Sequence, residues 1–164
     1  MSNYDTLFLD RDGVINRKLE ARYVRDFSEF EFLPGALNAI AQLSNRFIRI
    51  IIVTNQQGIA KGIMSENDLN ILHAQMQASI ERSGGKIDKI YFCPCLASEN
   101  CECRKPNTGM IKQAFIDFPM ISIEDSYLVG DSDSDIEAGQ KMNLQTVKVD
   151  NTYTLAKWAA ELID

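Results

Sequence analysis

No cysteine lies outside Cys93–Cys103, and the four in that stretch are the only ones in 164 residues. A disulfide framework staples distant segments, so a cluster that can cross-link only its own loop argues against one and points to a metal. A chain of this size has no need of staples, since a domain of about 150 residues buries about 68–70% of its unfolded surface. Long apolar runs are also missing. None approaches the roughly 18 residues of a membrane span. Met1-Ser2-Asn3-Tyr4-Asp5 lacks the charged and apolar regions of a secretion signal. The expectation is a cytoplasmic protein with no membrane partner. Positive charge is in deficit: 17 Lys and Arg face 23 Asp and Glu, a net charge of −6. A general nucleic-acid binder needs a basic footprint, so no nucleic-acid partner is expected. A phosphorylated small molecule needs only a local group of cations. Repeats, low-complexity tracts and Pro/Gly/Ser-rich linkers are absent, which leaves one domain over 1–164.

What is present is a recurring unit: an apolar run that ends in a polar residue, then a loop and a helical pattern. Leu7-Phe8-Leu9 runs into Asp10, Ile48 to Val53 into Thr54 and Asn55, Ile90-Tyr91-Phe92 into Cys93, and Tyr127 to Gly130 into Asp131. A weaker run covers Thr146 to Val149. Short β-branched and aromatic runs of this kind are expected as buried parallel strands. Between them, helices are expected over Ala36 to Leu43, after the cap pair Ser65 and Asp68, and over Met110 to Phe118, Asp133 to Met142 and Leu155 to Ile163. Leu69, Leu72, Met76 and Ile80 form one apolar stripe that stops at Gly84-Gly85. His73, the only histidine, is expected to be structural or on the surface. The alternation implies an α/β fold, a doubly wound parallel sheet of Rossmann-like type with helices on both faces. Ligands in such sheets gather outside the carboxyl ends of the strands. Asp10, Thr54 and Asp131 all belong there.

Asp10-Arg11-Asp12-Gly13 places two carboxylates two residues apart just after a strand. One can act as a nucleophile that forms an acyl-phosphate, and the other can handle the leaving oxygen's proton and then the water's. Mg²⁺, held by one or two carboxylates, neutralises phosphoryl charge, and Asp131 can complete its site. Thr54, Asn55 and Gln56 offer a hydroxyl and amides to phosphate oxygens, and Arg104-Lys105 offers two cations. Each fragment alone also fits an ordinary turn, strand end or charged surface.

In this order, the fragments resemble the four motifs of the haloacid dehalogenase superfamily of phosphatases, from Leu7 to Val149. The resemblance implies Asp10 as nucleophile, Asp12 as general acid/base, Thr54 as phosphoryl ligand and Lys105 as the neutralising cation. It implies Mg²⁺ on Asp10, Asp131 and the backbone carbonyl of Asp12, with Asp135 in support. Cys93-Pro94-Cys95 and Cys101-Glu102-Cys103 form two Cys-x-Cys pairs able to hold a structural Zn²⁺, with four inert thiols as the alternative. That loop resembles the branch containing heptose bisphosphate phosphatases and histidinol-phosphate phosphatases, where the second ligand is commonly His; Cys95 departs from this. The short spacing between the pairs resembles the histidinol-phosphate group. Thr54 to Gly62, Tyr23-Val24 and Phe30-Glu31-Phe32 resemble the heptose group and carry more weight, because those loops border the site. Ser132 departs from the Lys common in that group.

Few residues remain for a cap domain. Three loops are expected to cover the site, 16–29, 56–65 and the cysteine loop, with Asn55, Lys61, Arg104 and Arg25 as candidate substrate contacts. The expected substrate is a small phosphorylated sugar, hydrolysed by a monomer. A histidinol-phosphate phosphatase is the alternative, with a nucleic-acid 3′-phosphatase and a catalytically silent zinc module further behind.

Overall fold

Residues 4–164 are described by the computed structural model. Five strands form one parallel sheet: β1 Tyr4–Leu9, β2 Phe47–Asn55, β3 Lys89–Cys93, β4 Tyr127–Gly130 and β5 Gln145–Lys148. Their order is β3-β2-β1-β4-β5, with β1 in the middle. Leu7 pairs with Ile50 on one side and Tyr127 on the other. The helices are α1 Ala36–Leu43, α2 Glu66–Arg82, α3 Gly109–Asp117, α4 Asp133–Lys141 and α5 Leu155–Ile163.

The apolar strand runs are nearly continuous because both faces of the sheet are buried, and alternate side chains enter different cores. Leu7, Leu9, Ile50, Ile52 and Val129 face α1, α2 and α5, which contribute Ile40, Leu69, Met76 and Trp158. Phe8, Ile51, Val53 and Leu128 face α3 and α4, which contribute Met110, Ile111, Ala114 and Ala138. The sequence expectation of a doubly wound sheet holds, strand by strand, to within a residue or two at most ends. Three short 3-10 turns, Phe27–Glu29, Ala97–Glu99 and Ile123–Asp125, have no apolar periodicity and were outside the pattern.

Chain direction changes sides at β1: the sheet grows through β2 and β3 one way, then returns to β4 and β5 the other. The carboxyl ends of β1 and β4 therefore flank a crevice, and Asp10 and Asp131 follow those strands directly. Among the described residues no cap is inserted. The segment between β1 and α1 instead packs against α2 and its core, with Phe27, Phe30 and Phe32 packed ring to ring. Among the described residues no helix is long and apolar enough to cross a membrane.

Helix α2 starts where the Ser65 side chain accepts from the Asp68 N–H and the Asp68 carboxylate accepts from the Ser65 N–H. This reciprocal cap satisfies two otherwise orphaned donors. Ser65→Ala is expected to lower unfolding free energy by about 1 kcal/mol. Urea denaturation checks it, and an unchanged midpoint contradicts the assignment.

Candidate active site

The crevice is organised around a buried ammonium. Lys105, 4% exposed, donates to the Val53 carbonyl at 2.9 Å and to the Asp135 carboxylate, and it lies 3.0 Å from Asp10 Oδ1. Burial alone would strip the proton from Lys105, but Asp10 and Asp135 outweigh it and raise its proton affinity. Its main chain is latched to the end of β2, since Asn55 Oδ1 accepts from the Lys105 N–H at 3.1 Å and Asn55 Nδ2 donates to its carbonyl at 3.3 Å. Asn55 borders the cleft, yet its amide serves this latch, not the open space expected of a substrate ligand.

Asp10 is pushed up to about 7, chiefly by burial; Lys105 opposes the rise, while Asp135 and Asp12 add to it. Asp12 goes the other way despite burial, because the Arg11 charge and three donors favour its anion. Arg11 Nη2 and Asn16 Nδ2 reach Asp12 Oδ1 at 2.8 and 2.9 Å, and Gln56 Nε2 reaches Oδ2 at 2.9 Å. The same Gln56 nitrogen lies 3.0 Å from Thr54 Oγ1, leaving the Thr54 hydroxyl hydrogen free to donate elsewhere. Arg11 is fully buried. Its Nη1 lies 3.0 Å from His73 Nε2, and the Phe30 ring lies beside its guanidinium.

Asp135 is saturated: its carboxylate takes Lys105, the Asp131 and Ser132 N–H groups and the Ser132 hydroxyl. Those four donors hold it anionic against burial and fit the supporting role expected of it. Asp131 is different. Its Oδ1 is buried with no hydrogen-bond partner, and burial raises its carboxyl. An orphaned carboxylate oxygen is costly unless a cation meets it. One carboxylate oxygen from each of Asp10, Asp131 and Asp135 lies within 4.8 Å of the others. Hard oxygens gathered this way fit Mg²⁺. The backbone leaves room for them: Gly13, at φ 87°, passes so close to Asp131 that a Cβ there would overlap the carboxylate.

The cleft has a volume of about 450 Å³ and is ringed by Lys18, Arg22, Tyr23, Gln57, Lys61 and Arg104. Lys61 and Arg104 thus stand where the sequence places them. Arg25 does not: it is held by Glu29 through Nε and Nη2 at 3.1 and 3.2 Å, away from the cleft lining. An acid four residues on captures it; the same Glu29 takes Arg22 Nη1 at 3.2 Å, yet Arg22 still lines the cleft. Lys18 Nζ lies 3.5 Å from Asp131 Oδ2, which brings a cation beside the position where Ser132 replaces Lys. Ser132 itself caps α4 through a reciprocal bond with Asp135. Tyr23 joins two loops, its hydroxyl accepting from Gln57 Nε2 at 2.7 Å and Lys61 Nζ at 2.9 Å.

The cysteines converge as expected but are joined in two disulfides, Cys93–Cys103 and Cys95–Cys101, where four thiolates on zinc were expected. The same convergence serves either state. Cys95 and Cys103, from different pairs, have sulfurs 4.0 Å apart, close to the edge of about 3.8 Å implied by a tetrahedron with 2.3 Å zinc–sulfur bonds. Arg104 Nη1 donates to the Cys95 carbonyl at 3.3 Å, so the loop aims a rim cation.

Asn16 and His73 carry no motif signal that marks them as site residues, Arg11 stands in the first motif with no role of its own, and Gln56 reads only as a phosphate ligand. Their partners lie on other elements, and only the polar character of Gln56 directly after Thr54-Asn55 hinted at one of them.

Residues 6–162 match the polynucleotide kinase 3 phosphatase family, and the chain belongs to it. It is 40% identical over 143 residues to D-glycero-beta-D-manno-heptose-1,7-bisphosphate 7-phosphatase of Pseudomonas putida, covering 87% of this chain and 81% of that one. It is 43% identical over 131 residues to D-glycero-alpha-D-manno-heptose-1,7-bisphosphate 7-phosphatase of Mycobacterium tuberculosis, covering 80% and 69%. The crystal structure of D,D-heptose 1,7-bisphosphate phosphatase from B. bronchiseptica, complexed with magnesium and phosphate, superposes with a TM-score of 0.82 at 28% identity, over 97% of this chain and 98% of that one. The expected kinship with haloacid dehalogenase-type phosphatases holds.

Burial and the Arg11 charge lower the His73 imidazole to about 3. The unfolded chain takes up that proton near pH 6.5 and the folded chain does not, so this residue's contribution to stability is intact above about pH 6.5 and lost as pH falls toward 3. His73→Gln, which does not titrate, is expected to gain stability relative to wild type between pH 7 and pH 4. A difference in urea midpoints that stays constant over that range contradicts this.

Proposed function

We propose that this chain is a phosphoric monoester hydrolase acting on a small phosphorylated sugar, through an aspartyl-phosphate on Asp10. The observation that carries the reading is the buried Lys105 between Asp10 and Asp135, in a crevice that also holds an unpartnered Asp131 oxygen. A carboxylate beside a fixed ammonium is a nucleophile with charge neutralisation already in place for an incoming phosphoryl group. Asp10 and Asp131, with the backbone carbonyl of Asp12, are the residues to hold Mg²⁺, which when bound neutralises the phosphoryl oxygens.

In the first half-reaction an Asp10 oxygen bonds to phosphorus as the bond to the sugar oxygen breaks, and Asp12 gives that oxygen a proton. In the second, Asp12 takes a proton from water as the water oxygen attacks phosphorus and frees Asp10. The donors on Asp12 favour its anion, which suits the second half. Phosphate charge arriving beside it raises its proton affinity for the first. Thr54, whose oxygen already accepts from Gln56, donates its hydrogen to a phosphoryl oxygen.

The substrate we favour is D-glycero-D-manno-heptose 1,7-bisphosphate, cleaved at the 7-phosphate. Relatives named for that activity support this, as does the gathering of Lys18, Arg22, Lys61 and Arg104 around the cleft, where a second phosphate would meet positive charge. Relatives named for the beta and alpha anomers stand at 40% and 43% identity, so similarity alone does not choose between them. We propose a one-domain monomer working in the cytoplasm. There four thiolates stay reduced, and Cys93, Cys95, Cys101 and Cys103 hold a structural zinc.

Two predictions test this. Phosphate release with Mg²⁺ is measured on both heptose bisphosphate anomers, histidinol phosphate and a 3′-phosphorylated oligonucleotide. One heptose anomer is expected to exceed the non-heptose substrates in kcat/KM by about a hundredfold, or roughly 2.7 kcal/mol, with no release by Asp10→Asn. A preference for histidinol phosphate or the oligonucleotide rejects the substrate, and activity in Asp10→Asn rejects the nucleophile. Protein purified under reducing conditions is expected to carry one zinc per chain, released by strong chelators with loss of activity. Metal-free protein with four alkylatable thiols, or with two disulfides, contradicts the zinc reading.

A further inference from the structure

Arg11 sits between the two carboxylates of the first motif but points away from the cleft, into the space between β1 and α2. Its guanidinium is entirely out of solvent, and its Nε has no partner. What fixes it are Asp12 on one terminal nitrogen, His73 on the other and the Phe30 ring beside it. A guanidinium has only donors, so at 3.0 Å the His73 Nε2 must be the acceptor. His73 is itself buried, one residue after the Leu72 of the apolar stripe that docks α2 on the sheet.

Removing that acceptor would leave the guanidinium with an obvious alternative. Arginine prefers a two-pronged grip on a carboxylate. With Nη1 released, both nitrogens can turn to Asp12 and rotate its carboxylate away from Asn16 and Gln56. The present arrangement uses one prong only and leaves Oδ2 to Gln56, which also touches Thr54. Asp12 is thereby locked in register with the residue expected to hold the phosphoryl group.

We propose that His73 is a positioning residue for proton transfer: by engaging Arg11 Nη1 it restricts Arg11 to a single-pronged hold on Asp12 and so keeps the Asp12 carboxylate aimed at the leaving oxygen. This rests on the general acid/base reading of Asp12. It extends that reading to a helix that supplies nothing to the cleft itself.

Leaving-group dependence tests it, because proton donation matters for an alkoxide and little for a phenolate that departs unaided. Steady-state kinetics compare a sugar phosphate with p-nitrophenyl phosphate for wild type, Asp12→Asn, His73→Leu, His73→Met and His73→Gln, all with Mg²⁺. His73→Leu and His73→Met are expected to lose roughly tenfold or more in kcat/KM, which reports only the half-reaction that expels the leaving group, on the sugar phosphate and less than about threefold on the aryl ester, a fraction of the full general-acid effect. His73→Gln, which keeps an acceptor, should recover most of the loss. In the Asp12→Asn background, His73→Leu should widen the gap between the substrates no further. Equal losses of kcat/KM on both esters in both apolar variants, or no loss on either, overturn the proposal while leaving the Asp12 reading intact. Equal losses of kcat/KM on both esters in Asp12→Asn itself overturn the general-acid reading of Asp12 and the inference with it.

Discussion

The active crevice depends on one buried ion pair cluster: the ammonium of Lys105 held between the carboxylates of Asp10 and Asp135. A buried lysine survives charged only when its desolvation is offset by anions in contact, and here two are supplied, by Asp10 just after β1 and by Asp135 in the first turn of α4. Much of the surrounding architecture serves that arrangement. Asn55 latches the Lys105 backbone to β2, the Val53 carbonyl takes one ammonium hydrogen, and the N-terminus of α4 holds Asp135 with three further donors. Asp10, by contrast, has Lys105 and little else, which is why we propose it as the carboxylate that reacts.

Four acids on one rim would repel each other without their different partners. Asp135 is neutralised by Lys105 and by backbone donors, and Asp12 by Arg11 behind it. Asp10 and Asp131 remain under-compensated, and both have raised proton affinity. Groups held in that condition are where a cation and a phosphoryl group gain most. The fold makes the division possible because parallel strands deliver Asp10 and Asp131 from adjacent ends, while the cysteine loop brings Lys105 in from beyond β3.

Much of this was legible in the residues alone. Strands buried on both faces announce themselves as unbroken apolar runs, and β1, β2 and β4 each end in the polar residue that reaches the crevice. The Ser65–Asp68 cap and the helix from Leu155 to Ile163 were equally plain. What stayed hidden depends on partners distant in sequence. His73 lies on an apolar stripe and reads as core; only the fold sets it 3.0 Å from Arg11. Gln56 looks like a phosphate ligand and instead bridges Asp12 and Thr54. Arg25 was misread because charge on a loop says nothing about direction, and Glu29 four residues on takes it out of the cleft. The cysteine cluster was visible, but the pattern of residues leaves its covalent state open.

The account stands or falls on covalent phosphoryl transfer to Asp10. Turnover of the preferred sugar phosphate is quenched rapidly in acid and the peptides are weighed by mass spectrometry. The peptide holding Asp10 is predicted to gain the mass of one phosphoryl group during turnover and to lose it once substrate is exhausted. Full turnover with no adduct at Asp10, or with the adduct on another residue, would contradict the account.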